Sequence, residues 1–181
     1  MSEGFEGLAT IRRAPARGMI TIRADLSDPA VSAALEAGGA GAPLPDRRRI
    51  ESAGDRALAW MAPDELMLFL PHGDAGAAAE RLTGALAGLH ATAIDVSDAR
   101  AIFTLDGAAG AREVLAKLTP ADMAPGAFGP GDFRRTRIQQ VAAAIWMPEA
   151  ERLEVMCFRS VSGHIHDLLV NAARPGARIG L

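Results

Sequence analysis

His164 and His166 are the residues most suggestive of chemistry, two histidines inside a segment whose apolar spacing predicts a helix. Two steps along a helix rotate a side chain by about 200°, so the pair diverges and cannot hold one metal ion. His72 stands in a Pro-His-Gly turn and His90 ends a predicted helix, and neither has a cysteine or carboxylate at ligand spacing. No metal site is expected. Ser97 and Ser160 lie outside any Gly-x-Ser-x-Gly context and suit a turn and a helix cap rather than a nucleophile. Gly38-Gly39-Ala40-Gly41 and Gly107-Ala108-Ala109-Gly110 lack the pattern of a phosphate loop, the second having neither its lysine nor its hydroxyl residue. The chain is therefore expected to contain no catalytic residue and no cofactor-binding residue of its own.

Cys157 is the only cysteine, so no internal disulfide can form, and Val155, Met156 and Phe158 give it the setting of a small buried apolar residue. That usage points to a reducing compartment. The opening residues Met-Ser-Glu-Gly-Phe-Glu-Gly carry acids where a signal peptide carries bases, and no uncharged run approaches the ~18 residues of a membrane helix. A soluble, cytoplasmic protein with no membrane partner is the expectation. The 181 residues are 49% hydrophobic, ample for a core, and the net charge of −3 argues against a general nucleic-acid binder. Arg47-Arg48-Arg49 reads as the solvated flank of a hairpin.

The elements that would position these residues follow from periodicity and turn chemistry. A strand over 17–24 leads to a short helix opened by Asp28-Pro29, with Val31 and Leu35 apolar, and ended by Gly38-Gly39. Strands over 48–53, 56–61 and 66–70 follow, separated by Gly54-Asp55 and Pro63-Asp64. Asp74 is placed to cap a helix bearing Ala78, Leu82, Ala85, Leu86 and Leu89 on one face. Next come strands over 91–96 and 99–106, joined by a turn in which Asp95 and Ser97 bond their own backbone. Gly107 then supplies a positive φ before a helix over 108–118, and the Pro- and Gly-rich segment 119–132 is a loop. One long strand over 134–147, another over 152–158, and a helix capped by Ser160 complete the series. The order, βαβββαβ followed by βαββα, gives an α+β fold. It consists of two successive split-βαβ (ferredoxin-like) units, 1–90 and 91–181, packed as one compact body without sequence repetition between them.

Several stretches carry a resemblance through their order and spacing. They are Asp95-x-Ser97 with the following strand, Gly107, Ala111 and Leu115; Trp60-x-x-Pro63-Asp64-Glu65-Leu66-x-Leu68; Asp122-x-x-Pro125-x-x-Phe128-x-x-Gly131; Arg135-Thr136; and Phe158-Arg159-Ser160. Across residues 56–172 the chain resembles the aminomethyltransferase superfamily typified by the glycine-cleavage T-protein, and within it the gamma subunit of heterotetrameric sarcosine oxidase. The resemblance implies the fold of the T-protein's folate-binding domain and a non-catalytic structural role. It implies alpha, beta and delta subunits as partners, chiefly alpha, with FAD, FMN, NAD and tetrahydrofolate all held on other subunits. The supported reaction would be oxidative demethylation of sarcosine to glycine with hydrogen peroxide and formaldehyde or methylenetetrahydrofolate.

In the aminomethyltransferases, the resemblance implies an acidic pair in the strand after the Gly-rich loop. Here that stretch is Val141-Ala142-Ala143-Ala144-Ile145-Trp146-Met147, which offers no group to accept or donate a proton. The chain also stops at Leu181, before the further domains that complete a T-protein folate pocket. A free-standing folate-binding regulatory or repair protein of the same superfamily is the alternative reading. Candidate interface residues are Phe128 and Phe133, two rings in the Gly- and Pro-rich loop, and Arg135 and Arg137, which alternation places on one face of a strand with Arg134 on the other.

Overall fold

The computed structural model describes residues 4–176 and 179. In chain order its strands and helices are β1 (Phe5–Glu6), β2 (Thr10–Arg13), β3 (Arg17–Arg23), α1 (Pro29–Ala37), β4 (Ile50–Ala53), β5 (Arg56–Ala62), β6 (Glu65–Pro71), α2 (Ala75–Ala85) and β7 (Thr92–Asp95). They continue with β8 (Arg100–Asp106), α3 (Ala108–Ala116), β9 (Phe133–Ile138), β10 (Val141–Glu149), β11 (Arg152–Phe158) and α4 (Ser162–Ala173). The chain divides into two compact units: one is Ala16–Ser97, and the other joins the segment ending at Pro15 to the segment beginning at Asp98.

In the unit Ala16–Ser97 five antiparallel strands lie in the order β4-β5-β6-β3-β7. β6 reads Glu-Leu-Met-Leu-Phe-Leu-Pro and all but its last residue are buried, because the strand lies inside the sheet and both of its faces are covered. Leu66, Leu68 and Leu70 share one core with Ile20, Ile22 and Leu58 and with Val31, Leu35, Ala78 and Leu82 from α1 and α2. The start of α1 is set by Asp28, whose extended backbone lets its carboxylate accept from the Ala30 N–H at 2.8 Å.

The second unit repeats this plan with its parts drawn from two stretches of chain. Its sheet order is β1-β2-β8-β11-β10-β9, all antiparallel. Set beside the first sheet, β8, β10 and β11 occupy the places of β3, β5 and β6, and β9 that of β4. The place of β7 is taken by β2 from the other end of the chain, with Ile11 opposite Leu105 and Thr10 opposite Asp106. Helices α3 and α4 cover one face, where Ala111, Val114, Leu115, Ile165 and Leu169 meet Phe103, Leu105, Ile145, Leu153 and Val155. Both units are thus α+β with a ferredoxin-like strand order.

Four expectations are revised. The units are not the consecutive blocks 1–90 and 91–181, because residues 10–13 complete the sheet containing β8. The single strand over 134–147 is a hairpin: Gln139 adopts φ 52° and donates its N–H to the Leu118 carbonyl at 2.7 Å, turning the chain without a glycine. Asp74 makes no capping bond, because a 3-10 turn over His72–Asp74 puts it in helical backbone, whereas a capping side chain needs the extended conformation seen at Asp28. Ser160 likewise sits within the 3-10 turn Arg159–Val161, and it is Ser162 at the head of α4 whose hydroxyl donates to the Arg159 carbonyl at 2.8 Å.

The return of the N-terminal segment requires a close approach. Leu8 donates its N–H to the Ala173 carbonyl at 2.8 Å while its own carbonyl presses on Gly110 of α3, where an added Cβ would fall onto that oxygen. Gly110→Ala should therefore cost about 3 kcal/mol in urea denaturation through overpacking. Gly163→Ala, in α4 with nothing in the way, should stabilise by about 0.5 kcal/mol.

Candidate functional site

Asp95 and Ser97 are brought together with Met19. The Asp95 Oδ1 accepts from the Ser97 backbone N–H at 2.9 Å and from the Ser97 hydroxyl at 2.5 Å, and the Ser97 Oγ in turn accepts from the Met19 N–H at 2.9 Å. Val96 adds a bond from its N–H to the Met19 carbonyl at 2.8 Å. The Asp95 Oδ1 thus holds the turn. That turn does not join neighbouring strands of one sheet: β7 pairs with β3 and β8 pairs with β2 and β11, so it marks where the chain leaves one unit for the other. Ser97→Ala removes two hydrogen bonds and leaves the Met19 N–H without its acceptor, and should cost about 1–2 kcal/mol in a thermal or urea melt, as should Asp95→Ala.

Gly107 lies apart from that turn, at the head of α3, with φ 94° and ψ 89°. A side chain there costs about 1–2 kcal/mol, so glycine is the residue the β8-to-α3 connection requires. Its N–H donates to the Glu151 carbonyl at 2.9 Å.

Phe128 and Phe133 are not exposed anchors. Phe128 is 1% and Phe133 0% exposed: the loop folds back on itself, Phe133 stacks on Trp146 with centroids 5.8 Å apart, and Arg134 lies over Phe128 at 5.3 Å. Glycines and prolines let that loop bend tightly enough to put its own rings inside. Arg112 holds the loop from α3, donating to the Met123 carbonyl at 2.8 Å and approaching the Met147 sulfur at 3.2 Å. The 112–115 stretch reads as an ordinary helical turn, and only the tertiary structure shows its arginine to be buried. Arg135 and Arg137 are exposed on β9, the last strand of its sheet, and Arg134 points to the opposite face.

The Val141–Met147 stretch lies in β10, with residues 143–147 buried. The carboxylate nearest in register is Glu154 on β11, opposite Trp146 and 4% exposed. A cavity of about 450 Å³ opens between α1 and the 39–44 loop, lined mainly by Leu35, Ala40, Pro43, Leu44 and Leu58, with Ser32 and Glu36 its polar side chains. Among the described residues, no three of His, Cys, Asp and Glu are grouped to hold a metal, and no helix is long and apolar enough to cross a membrane.

Cys157 faces the core of the second unit, and burial pushes its thiol up to about 11 from the ordinary 9. A folded-state pKa above the unfolded one favours the neutral thiol, so its contribution to stability is intact below pH 9 and is lost as the pH rises toward 11. With no tyrosine and one lysine in the chain, few other groups titrate there. Wild-type stability should fall with a slope of at most about 1.4 kcal/mol per pH unit across that window, and Cys157→Ala should flatten the slope.

Two units, each an antiparallel sheet in ferredoxin-like strand order with two helices, define the chain as an α+β protein. The structure superposes on the glycine cleavage system aminomethyltransferase T from Bartonella henselae with a TM-score of 0.60 at 16% identity, over 88% of this chain and 45% of that one. It superposes more fully on a chain of heterotetrameric sarcosine oxidase from Corynebacterium sp. U-96, solved with pyrrole 2-carboxylate, with a TM-score of 0.84 at 24% identity over 96% of this chain and 87% of that one. Residues 23–174 match the sequence model of the sarcosine oxidase, gamma subunit family, and the chain belongs to that family. The sarcosine oxidase subunit gamma of Arthrobacter sp. is 36% identical over 117 residues, which is 65% of this chain and spans 55% of that protein's length.

Proposed function

We propose that the chain is a non-catalytic structural subunit of a cytoplasmic heterotetrameric sarcosine oxidase. It would support the oxidative demethylation of sarcosine to glycine with hydrogen peroxide and formaldehyde or methylenetetrahydrofolate. In this reading its partners are the alpha, beta and delta subunits, chiefly alpha, and FAD, FMN, NAD and tetrahydrofolate reside on them. The family match over residues 23–174 supports the assignment.

The observation that carries the non-catalytic part is the composition of β10. A general acid or base must bring a titratable group within about 3 Å of the proton it moves. From Val141 to Met147 the strand presents aliphatic, aromatic and thioether side chains, and none of these titrates. The scaffold of a one-carbon transferase is kept in this reading for its shape and its surfaces.

Co-expression with the larger subunits should yield a complex with one copy of this chain per assembly by size exclusion and native mass spectrometry. The chain purified alone should be colourless and release no peroxide from sarcosine. A yellow protein, turnover with the other subunits rigorously excluded, or a monodisperse monomer indifferent to those subunits would overturn the reading.

A further inference from the structure

On the face of the second sheet turned away from α3 and α4, directly paired residues form rows that run across four strands, since residues opposite each other in an antiparallel ladder project to the same side. One row is Arg135, Ala144, Met156 and Ile102, and its last three members are 2%, 2% and 3% exposed. The next row is open over three of its four members, Arg100 being half-buried. Arg137 stands opposite Ala142, Phe158 stands opposite Arg100, and the register Ala143 to Cys157 carried one step further sets Ala142 opposite Phe158. Arg137 and Ala142 are exposed, and Phe158, a large aromatic residue, is 45% exposed. With strands about 4.8 Å apart, the row is roughly 14 Å long.

The row itself carries two guanidiniums, those of Arg100 and Arg137. The Arg100 guanidinium lies 3.8 Å from the centroid of the Phe158 ring, a cation–π contact that holds the ring in place and keeps positive charge beside it. Arg135 and Arg137 add two guanidiniums on the β9 side, and Arg159 a fourth, paired with Asp98 at 3.2 Å. One arginine thus lies on an exposed ring whose row also carries Arg137, in a protein whose net charge is −3. Arginine and aromatic residues are enriched at the centres of protein interfaces, and a planar guanidinium can grip a carboxylate through two hydrogen bonds.

We propose that the row Arg137–Ala142–Phe158–Arg100 is the surface on which this chain docks an acidic segment of a larger subunit, with Phe158 as the apolar anchor and Arg137 as the carboxylate clamp. The inference rests on the reading of the chain as a subunit of an oxidase and adds to it the contact surface and the charge of its partner. Because guanidinium–carboxylate attraction steers and tightens such a contact, added salt weakens it.

The test measures assembly of the wild type, Arg137→Glu, Arg137→Lys and Phe158→Ser with the larger subunits, at about 50 mM and about 500 mM NaCl to vary the screening. The wild type and Arg137→Lys should assemble, with the wild type weaker in high salt. Arg137→Glu and Phe158→Ser should raise the apparent Kd at least about tenfold, which corresponds to losing one hot-spot contact. Melting temperatures of the isolated variants check folding; if Phe158→Ser melts early, Arg137→Glu on the exposed strand decides alone. Wild-type assembly matched by Arg137→Glu would overturn the surface and leave the subunit reading standing, whereas failure of the wild type to assemble would overturn both. A self-associating chain whose dimer is dissolved by Arg137→Glu, with the larger complex unaffected, would reassign the row to a homotypic contact and overturn the proposal.

Discussion

The pairing of Thr10–Arg13 with Phe103–Asp106 is the contact on which the organisation of the second unit depends. A ferredoxin-like sheet needs a strand on the outer side of its first strand, and the unit Ala16–Ser97 makes its own in β7. The second unit has no strand after α4 to fill that place among the described residues, so β2 fills it from the opposite end of the chain. Without β2, β8 would present an unpaired ladder edge, and Ile11, fully buried between β8 and the helices, would return to water. The fixed positions of Leu8 against Ala173 and Gly110 follow from the same docking, as does the need for a residue without a side chain at 110.

Much of the fold was legible because local signals agreed with one another. Asp28-Pro29 names a helix start, the Leu66-Met67-Leu68-Phe69-Leu70 run names a strand buried on both faces, and the apolar spacing of α2, α3 and α4 names their inner sides. What escaped lacked a local signal. β1 and β2 are two and four residues long, too short for periodicity, and β2 is placed by a pairing about ninety positions away. The Gln139-Gln140 turn carries neither glycine nor proline, so β9 and β10 read as one strand.

The same division holds at the candidate interface. Alternation along a strand was enough to put Arg135 and Arg137 on one face and Arg134 on the other. The burial of Phe128 and Phe133 was not legible, because whether a ring in a loop faces water or the core depends on how the loop closes, and that closure is set partly by Arg112 from a separate helix. Nor could the sequence reveal that Phe158 and Arg100 are neighbours. They come together through the register of β8 with β11, and β11 in isolation is an apolar run whose last residue gives no sign of standing at the open end of a sheet.

The division of the chain into units also sets a schedule. A ribosome releases the β2 segment before the whole of Ala16–Ser97, and only afterwards β8, the strand to which β2 must pair. The first unit has every strand it needs by the time Ser97 emerges, and it can collapse while the second is still being made. Throughout that interval the β2 segment is a tether awaiting an absent partner, and closing it against β8 joins positions roughly ninety apart, with the folded first unit spanning most of the gap as a compact body in place of loose chain. The early unit thus acts as a spacer that shortens the search of the late one, and the later sheet is closed by a strand made before the earlier unit began.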